Sequence, residues 1–252
     1  MLDRTEEYIK MAEVERELWW YRILHNLVHS VLKTVFIDRN PAILDAGCGT
    51  GGLLLFLRER GYNKLRGFDL SEIAVEICQS QSLDVFQSDL CDLSDNFKQR
   101  SLDVIVSNDT LYHLTKLERR AFFDACGELL RPGGLVVCNT PAIKYFSGIH
   151  DQAVGVNYRF TRQDIPSVFD PEQYTILQQT YWPFFLSPVI FTIRAVQRLR
   201  LNMGLVKEIR SDIDLPVSWL NTALYKICSL ENKITSNKPF GSSLFTVLQR
   251  RI

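Results

Sequence analysis

No run of apolar residues in this chain reaches the ~18 that a membrane-spanning helix requires. The first residues, Met1-Leu2-Asp3-Arg4-Thr5-Glu6-Glu7, carry charge where a secretory signal would carry an apolar core. A cytoplasmic location is the expectation. Net charge is missing as well, because 29 Lys and Arg balance 29 Asp and Glu. No global basic character favours nucleic acid as a partner. The six cysteines (48, 78, 91, 126, 138 and 228) form no CxxC pair. They read as reduced, mostly buried thiols rather than as disulfides or metal ligands. Internal repeats and low-complexity tracts are absent too. What remains is 252 residues, 46% hydrophobic, enough for one large domain or one and a half.

The order of patterns is informative. Apolar residues from Val14 to Val35 recur at helical spacing over 6–36, and Pro41 closes that segment. Strand-like runs follow near 42–45, 64–68, 83–87, 102–107 and 135–139, with helical stretches near 52–60, 71–80 and 117–130 between them. Such alternation predicts a parallel sheet covered on both faces by helices. Two further strands are expected near 174–180 and 244–249. The roughly 60 residues between them are too many for a plain loop. They predict a helical insertion, with helices from Ser187-Pro188 to about Leu201 and over 216–231.

The stretch Asp45-Ala46-Gly47-Cys48-Gly49-Thr50-Gly51-Gly52 lies between the first strand and a helix. Glycines there permit a tight turn and close approach of a ligand to the main chain. The helix N-terminus behind it offers free N–H groups. Asp45, just before the first glycine, suits a ligand with a positive group, such as S-adenosylmethionine with its ammonium and sulfonium. A pyrophosphate would be repelled. Asp69 ends the second strand, twenty residues after Gly49, where an acid can accept from both ribose hydroxyls. Asp89 follows the third strand and can accept from an adenine amine. Asn108 and Asp109 end the fourth. All lie at the carboxyl edge, where open parallel sheets bind ligands. The acids Asp89, Asp92 and Asp95 have no accompanying His and no EF-hand spacing, so no metal is expected.

These residues together resemble a class I S-adenosylmethionine-dependent methyltransferase. DAGCGTGG matches the first motif of that family, GFDLS the second and SDLCDL the third. VSNDTLYHL lies where the fourth falls, and Leu130-Arg131-Pro132-Gly133-Gly134 matches the turn before the fifth strand. The resemblance covers residues ~8–180 and, more loosely, the last strand. It implies a Rossmann-like, mostly parallel seven-stranded α/β sheet with an antiparallel last strand. It places the cofactor, S-adenosyl-L-methionine, against Asp45, Gly47, Cys48, Gly49, Asp69, Leu70, Asp89, Leu90 and Asn108. It also implies that the N-terminal segment, 1–40, is a lid over the cofactor's methionine end. Trp19 or Trp20 would then face the sulfonium, a contact worth ~0.5–2 kcal/mol, and Arg22 would pair with the cofactor carboxylate. Gly47, Gly49 and Gly52 also satisfy GxGxxG, so a nicotinamide-dependent oxidoreductase stays open as an alternative. A non-catalytic cofactor-binding protein on the same scaffold stays open too.

For the acceptor side, Thr110-Leu111-Tyr112-His113 continues from the fourth strand. His113 is the first candidate for a general base or positioning group, with capping of the helix that follows as the alternative. His150 is the second candidate base. The loop 141–160 brings Tyr145, Tyr158 and Arg159, which with Tyr112 suit acceptor contacts. The [DN]PPY signature, typical in that family of amino-group methylation on adenine or glutamine, is absent, and Asn108-Asp109-Thr110-Leu111 stands in its place, which weighs against nucleic-acid and protein-glutamine acceptors. A small or medium organic acceptor, methylated at oxygen, is the expectation. Thr161 and Asp164 have capping spacing and predict a helix start. In the insertion, the apolar run 184–191 followed by Arg194, Arg198 and Arg200 is compatible with peripheral membrane contact through 184–200. The other reading is packing on the domain or on a second subunit, as in a homodimer. The expected division is 1–40, then 41–180 with 241–252 as the cofactor-binding core, and 181–240 as the insertion.

Overall fold

The computed structural model describes residues 4–206, 209, 211–235 and 237–251, the Asp95 side chain excepted. In chain order its elements are helices α1 (Arg4–Val14) and α2 (Trp19–Val35), β1 (Ile43–Ala46), α3 (Gly52–Arg58), β2 (Leu65–Asp69), α4 (Glu72–Ser80), β3 (Val85–Gln87), β4 (Leu102–Asn108), α5 (Lys116–Leu129), β5 (Leu130–Pro141), α6 (Ile149–Val154), β6 (Tyr174–Trp182), α7 (Ser187–Asn202), α8 (Ser218–Ile234) and β7 (Ser243–Arg250). The strands form one sheet in the order β3-β2-β1-β4-β5-β7-β6. β1 to β5 are parallel, and β7 runs antiparallel to both β5 and β6. The chain winds from β1 outward to β3, then returns to place β4 on the other side of β1. That reversal opens a crevice beyond the carboxyl ends of β1 and β4.

Parity along the strands decides the layers, because successive side chains point to opposite faces. Ile43, Val104, Val106, Leu135 and Val137 meet Ile23, Leu24, Val28 and Leu32 of α2. Leu44, Ile105, Val136 and Cys138 meet Phe122, Phe123, Cys126 and Leu129 of α5. Both faces of the central strands are thereby dry, which is why they read as continuous apolar runs. α5 starts sharply because Thr115 and Glu118 form a reciprocal capping box.

Two local expectations give way. The helical spacing over 6–36 is interrupted: the chain leaves α1 after Val14, and Leu18 is extended (ψ 126°) before α2 begins. Glu15, in the break, reaches the glycine turn instead. No α-helix starts at Thr161. The Asp164 carboxylate takes both the Thr161 N–H and its hydroxyl at 2.7 Å, closing a local turn that competes with a helix. A short 3-10 turn, Ile165–Ser167, follows.

The insertion is anchored by polar side chains. Asn221 of α8 accepts from the Trp19 N–H and donates to the Glu17 carbonyl, at 2.9 and 2.8 Å. Glu231 accepts from the N–H groups of Phe184 and Phe185 and pairs with Lys238 at 2.8 Å, both side chains fully buried. α8 packs on α2, while α7 leans on α6 and the 3-10 turn Lys144–Phe146. Arg194 pairs with Asp212, and Arg198 donates to the carbonyls of Tyr145 and Ser147. Of the three arginines considered for peripheral membrane contact, Arg194 is thus charge-paired and Arg198 is hydrogen-bonded within the protein. Val189, Ile193, Val196 and Leu199 remain exposed on α7. Among the described residues, no helix is long and apolar enough to cross a membrane.

Candidate active site

The turn after β1 adopts left-handed backbone at Gly47 (φ +77°) and Gly49 (φ +53°), a conformation side chains disfavour. Space is closed at both as well. A Cβ on Gly47 would run into the Thr110 methyl, and one on Gly49 would lie 2.6 Å from Met11 Cε. The Gly49 N–H donates to Asp69 Oδ2 at 2.8 Å. The other Asp69 oxygen accepts from the Ser71 N–H at 3.0 Å and the Tyr8 hydroxyl at 3.2 Å. Asp69 and the glycine turn therefore form one unit. Cys48 turns its thiol away from the cleft, among Leu54, Leu55, Val75 and Cys78, so only its main chain is available to a ligand.

At the start of α3, the Thr50 hydroxyl (2.6 Å) and the Gly52 N–H (3.1 Å) both donate to Glu15 Oε2. Burial raises the Glu15 carboxyl to about 7 and lowers His25, 3.9 Å from its other oxygen, to about 3. His25 is therefore neutral, and the two do not form a charged pair. Asp45 is also buried, and its carboxyl is pushed up by burial and by the charges of Glu15 and Asp69. Three carboxylates converge on the turn, and among the described residues no Lys or Arg pairs with them. Asn108 adds a buried Oδ1 with no hydrogen-bond partner, an orphaned acceptor of the kind a ligand donor satisfies. Asp45, Asp69 and the free Asn108 Oδ1 form an acceptor set that fits the ammonium and hydroxyl donors of a cofactor such as S-adenosylmethionine, while Glu15 braces the start of α3.

The remaining predicted residues fall in several places. Asp89 Oδ1 accepts from the Cys91 N–H at 2.9 Å, capping the 3-10 segment Leu90–Asn96. Leu70 is exposed and Leu90 half-buried against the core. Trp20 stacks on Trp182 at 5.2 Å between centroids. Arg22 lies 4.0 Å over the ring of Tyr225 on α8 rather than reaching for a cofactor carboxylate. Tyr112 is buried, with the His113 ring 4.2 Å away. Tyr145 is exposed, and Tyr158 packs edge-on against Phe160 beneath the Arg119 guanidinium.

Two expected site residues are held by the fold instead. Arg159 makes a bidentate pair with Asp151 at 2.6 and 2.7 Å and donates to the carbonyls of Ala142 and Ser242. It clamps the 141–160 loop to the segment before β7. His150 accepts the Asp212 N–H on Nδ1 at 3.1 Å. Burial keeps its imidazole neutral, so the proton sits on the other nitrogen and no lone pair is left for a base. Among the described residues, no group of three His, Cys, Asp or Glu side chains is arranged to hold a metal ion.

The structure also gives specific partners to Asp109, which the sequence placed only at the carboxyl edge, and brings in Asn139, Trp182 and Glu15. Asp109 accepts twice from Asn139 Nδ2, at 3.1 and 3.0 Å. Asn139 Oδ1 in turn accepts from Trp182 Nε1 at 2.8 Å, which fixes the amide orientation. Burial raises the Asp109 carboxyl to about 7. Its place beside Asn108 was visible in sequence, but the pairing with Asn139 depends on the register of β4 on β5, Asn108 opposite Asn139. Glu15 carried no signal, because its role requires the helix to break.

Residues 43–134 match a family model described as a methyltransferase domain. A protein of Geobacillus sp. (strain WCH70) that carries the name of a methyltransferase is 30% identical over 246 residues, covering 89% of this chain and 94% of that protein. This chain belongs to the class I S-adenosylmethionine-dependent methyltransferases. The methyltransferase is also 24% identical to the phosphoethanolamine N-methyltransferase of Plasmodium falciparum, over 42% of this chain and only 41% of that protein's length. Among solved structures, a SAM-dependent methyltransferase from Archaeoglobus fulgidus has a TM-score of 0.57 at 14% identity. It covers 90% of the methyltransferase chain and 94% of its own, and it shares the fold.

Proposed function

We propose that the methyltransferase moves the methyl group of S-adenosylmethionine to a small or medium organic acceptor, at oxygen. The observation that carries the cofactor half is the buried Asn108 Oδ1 without a hydrogen-bond partner, at the same sheet edge as a glycine turn locked to Asp69 through the Gly49 N–H. Asp45 lies nearest in role to the cofactor's ammonium. Asp69 receives the ribose hydroxyls, and the Asp89 oxygen not used in capping receives the adenine amine. Asn108 Oδ1 gains the donor it lacks. When bound, the cofactor supplies a carbon already activated by sulfonium, so the protein's part is to hold the acceptor in line and exclude water. Membership of the methyltransferases weighs against the oxidoreductase alternative.

α1 serves as the lid in this reading. Tyr8 rests on Asp69, Met11 on Gly49 and Glu15 at the start of α3. Ribose hydroxyls that claim Asp69 displace the Tyr8 hydroxyl, so α1 yields as the cofactor enters. α2 stays with the sheet, into which its apolar face is packed. The acceptor side is the rim formed by Tyr112, His113, Tyr145 and the 141–160 loop, with α7 behind it. His113 is a positioning group there. Asn108-Asp109-Thr110-Leu111, standing in place of [DN]PPY, weighs against adenine and glutamine amino groups as acceptors.

The test is transfer from methyl-labelled S-adenosylmethionine to a panel of hydroxyl, carboxyl and amine acceptors. Label in an ether or ester product is expected. Label confined to nitrogen would overturn the oxygen assignment while leaving the cofactor assignment intact.

A further inference from the structure

Asp109 is built unlike a structural acid. It follows β4 in a left-handed conformation (φ +53°), a strained state for a residue other than glycine and one found preferentially at functional sites. Its backbone N–H is tied to the Asn139 carbonyl at 2.9 Å. Its carboxylate receives both hydrogen bonds from a single neutral amide. The nearest guanidinium, Arg159, is committed to Asp151. The next residue, Thr110, packs on Gly47, so Asp109 stands directly beside the cofactor turn. Tyr21 of α2 lies near enough to Asp109 and Glu15 for both charges to act on its hydroxyl.

We propose that Asp109 is the catalytic residue that faces the transferred methyl group and takes the proton from the acceptor's hydroxyl, with Asn139 and Trp182 as its positioning residues. The proposal rests on the reading of the methyltransferase as acting at a hydroxyl oxygen. In the step, the acceptor oxygen forms a bond to the methyl carbon, and the carbon–sulfur bond breaks with its electron pair remaining on sulfur. The hydroxyl proton passes to the Asp109 carboxylate and from there to water. The products are the methyl ether and S-adenosylhomocysteine. Each Asp109 oxygen has a lone pair beyond the one Asn139 uses. Burial, the largest cause, holds the carboxyl near 7, while Asn139 and Arg159 oppose it. Of the titratable neighbours, Tyr21 is pushed well up and Cys138 up to about 12. Glu15 is also held near 7 but is committed to Thr50 and Gly52 at the start of α3, which leaves Asp109 to exchange a proton with an acceptor.

The test needs no acceptor. Sinefungin carries an amine-bearing carbon in place of the methylated sulfur, so its ammonium occupies the position of the transferred group. Calorimetric affinities for sinefungin and S-adenosylhomocysteine are compared in the wild type, Asp109→Asn and Asp109→Gly. Asn and Gly both tolerate the left-handed backbone, and thermal unfolding identifies the variants that retain the fold and enter the comparison. Wild type is expected to favour sinefungin by tenfold or more, and both folded variants to lose that preference with S-adenosylhomocysteine affinity changed less than threefold. An equal preference in wild type and variants would overturn the assignment of Asp109. Wild type binding neither ligand would overturn the cofactor reading itself, a distinguishable result.

Discussion

Glu15→Gln should make the methyltransferase more stable relative to wild type, and increasingly so as pH rises. Gln keeps an oxygen to accept from Thr50 and Gly52, where Glu15 Oε2 accepts at 2.6 and 3.1 Å, but carries no charge into a buried site. Burial raises the folded Glu15 from 4.5 to about 7. Between those values the folded chain holds a proton that the unfolded chain has lost. Wild-type stability therefore falls as pH climbs through this window, by about 3 kcal/mol in all. The variant escapes that loss, so the gap between the two proteins should widen by about 2–3 kcal/mol from pH 5 to pH 8. At this chain length that is roughly 5–10 °C in Tm. His25, held near 3 by burial, titrates in the opposite sense, with stability gained as pH rises toward 6.5, but does so in both proteins. Urea and thermal unfolding of the two at pH 5 and pH 8 measure the gap. A gap that does not change with pH would refute the buried, proton-holding Glu15.

Other substitutions test neighbouring parts of the account. Asp69→Ala should weaken S-adenosylhomocysteine binding more than tenfold by calorimetry, because ribose loses its acceptor and the half-buried Gly49 and Ser71 N–H groups lose theirs; unchanged affinity would remove Asp69 from the site. Tyr8→Phe should tighten the same ligand by about fivefold, since one hydrogen bond of about 1 kcal/mol no longer competes for Asp69; weaker binding would mean the hydroxyl stays and contacts the ligand. Asp151→Asn should cost about 3–5 kcal/mol, because it strands the Arg159 guanidinium in a nearly buried pair. A Tm within 2 °C of wild type would show that Arg159 is not the clamp described.

Elements whose cause is local were legible in the sequence. The parallel strands announce themselves because both faces are buried. The Thr115–Glu118 box, the glycine turn and Asp69 at the end of β2 are all set by residues close in sequence or by a strand-end rule. The cofactor side follows from these. What escaped depends on contacts between distant segments. Helical periodicity cannot show that Glu15 leaves the helix, since the gain comes from α3, some 35 residues on. Arg159 and His150 carry the residue types of an active site, yet Asp151 and the Asp212 main chain claim them. Asp109 stood in plain view next to Asn108. Its chemistry depends on Asn139, one strand over, and on a tryptophan that turns the amide toward it.

The central claim is that the cleft at the glycine turn binds the methyl-donor cofactor. It is tested most directly by calorimetric titration of the purified chain with S-adenosylhomocysteine and, separately, with NAD. The account predicts saturable micromolar binding of S-adenosylhomocysteine and none of NAD. Binding of NAD alone would contradict it.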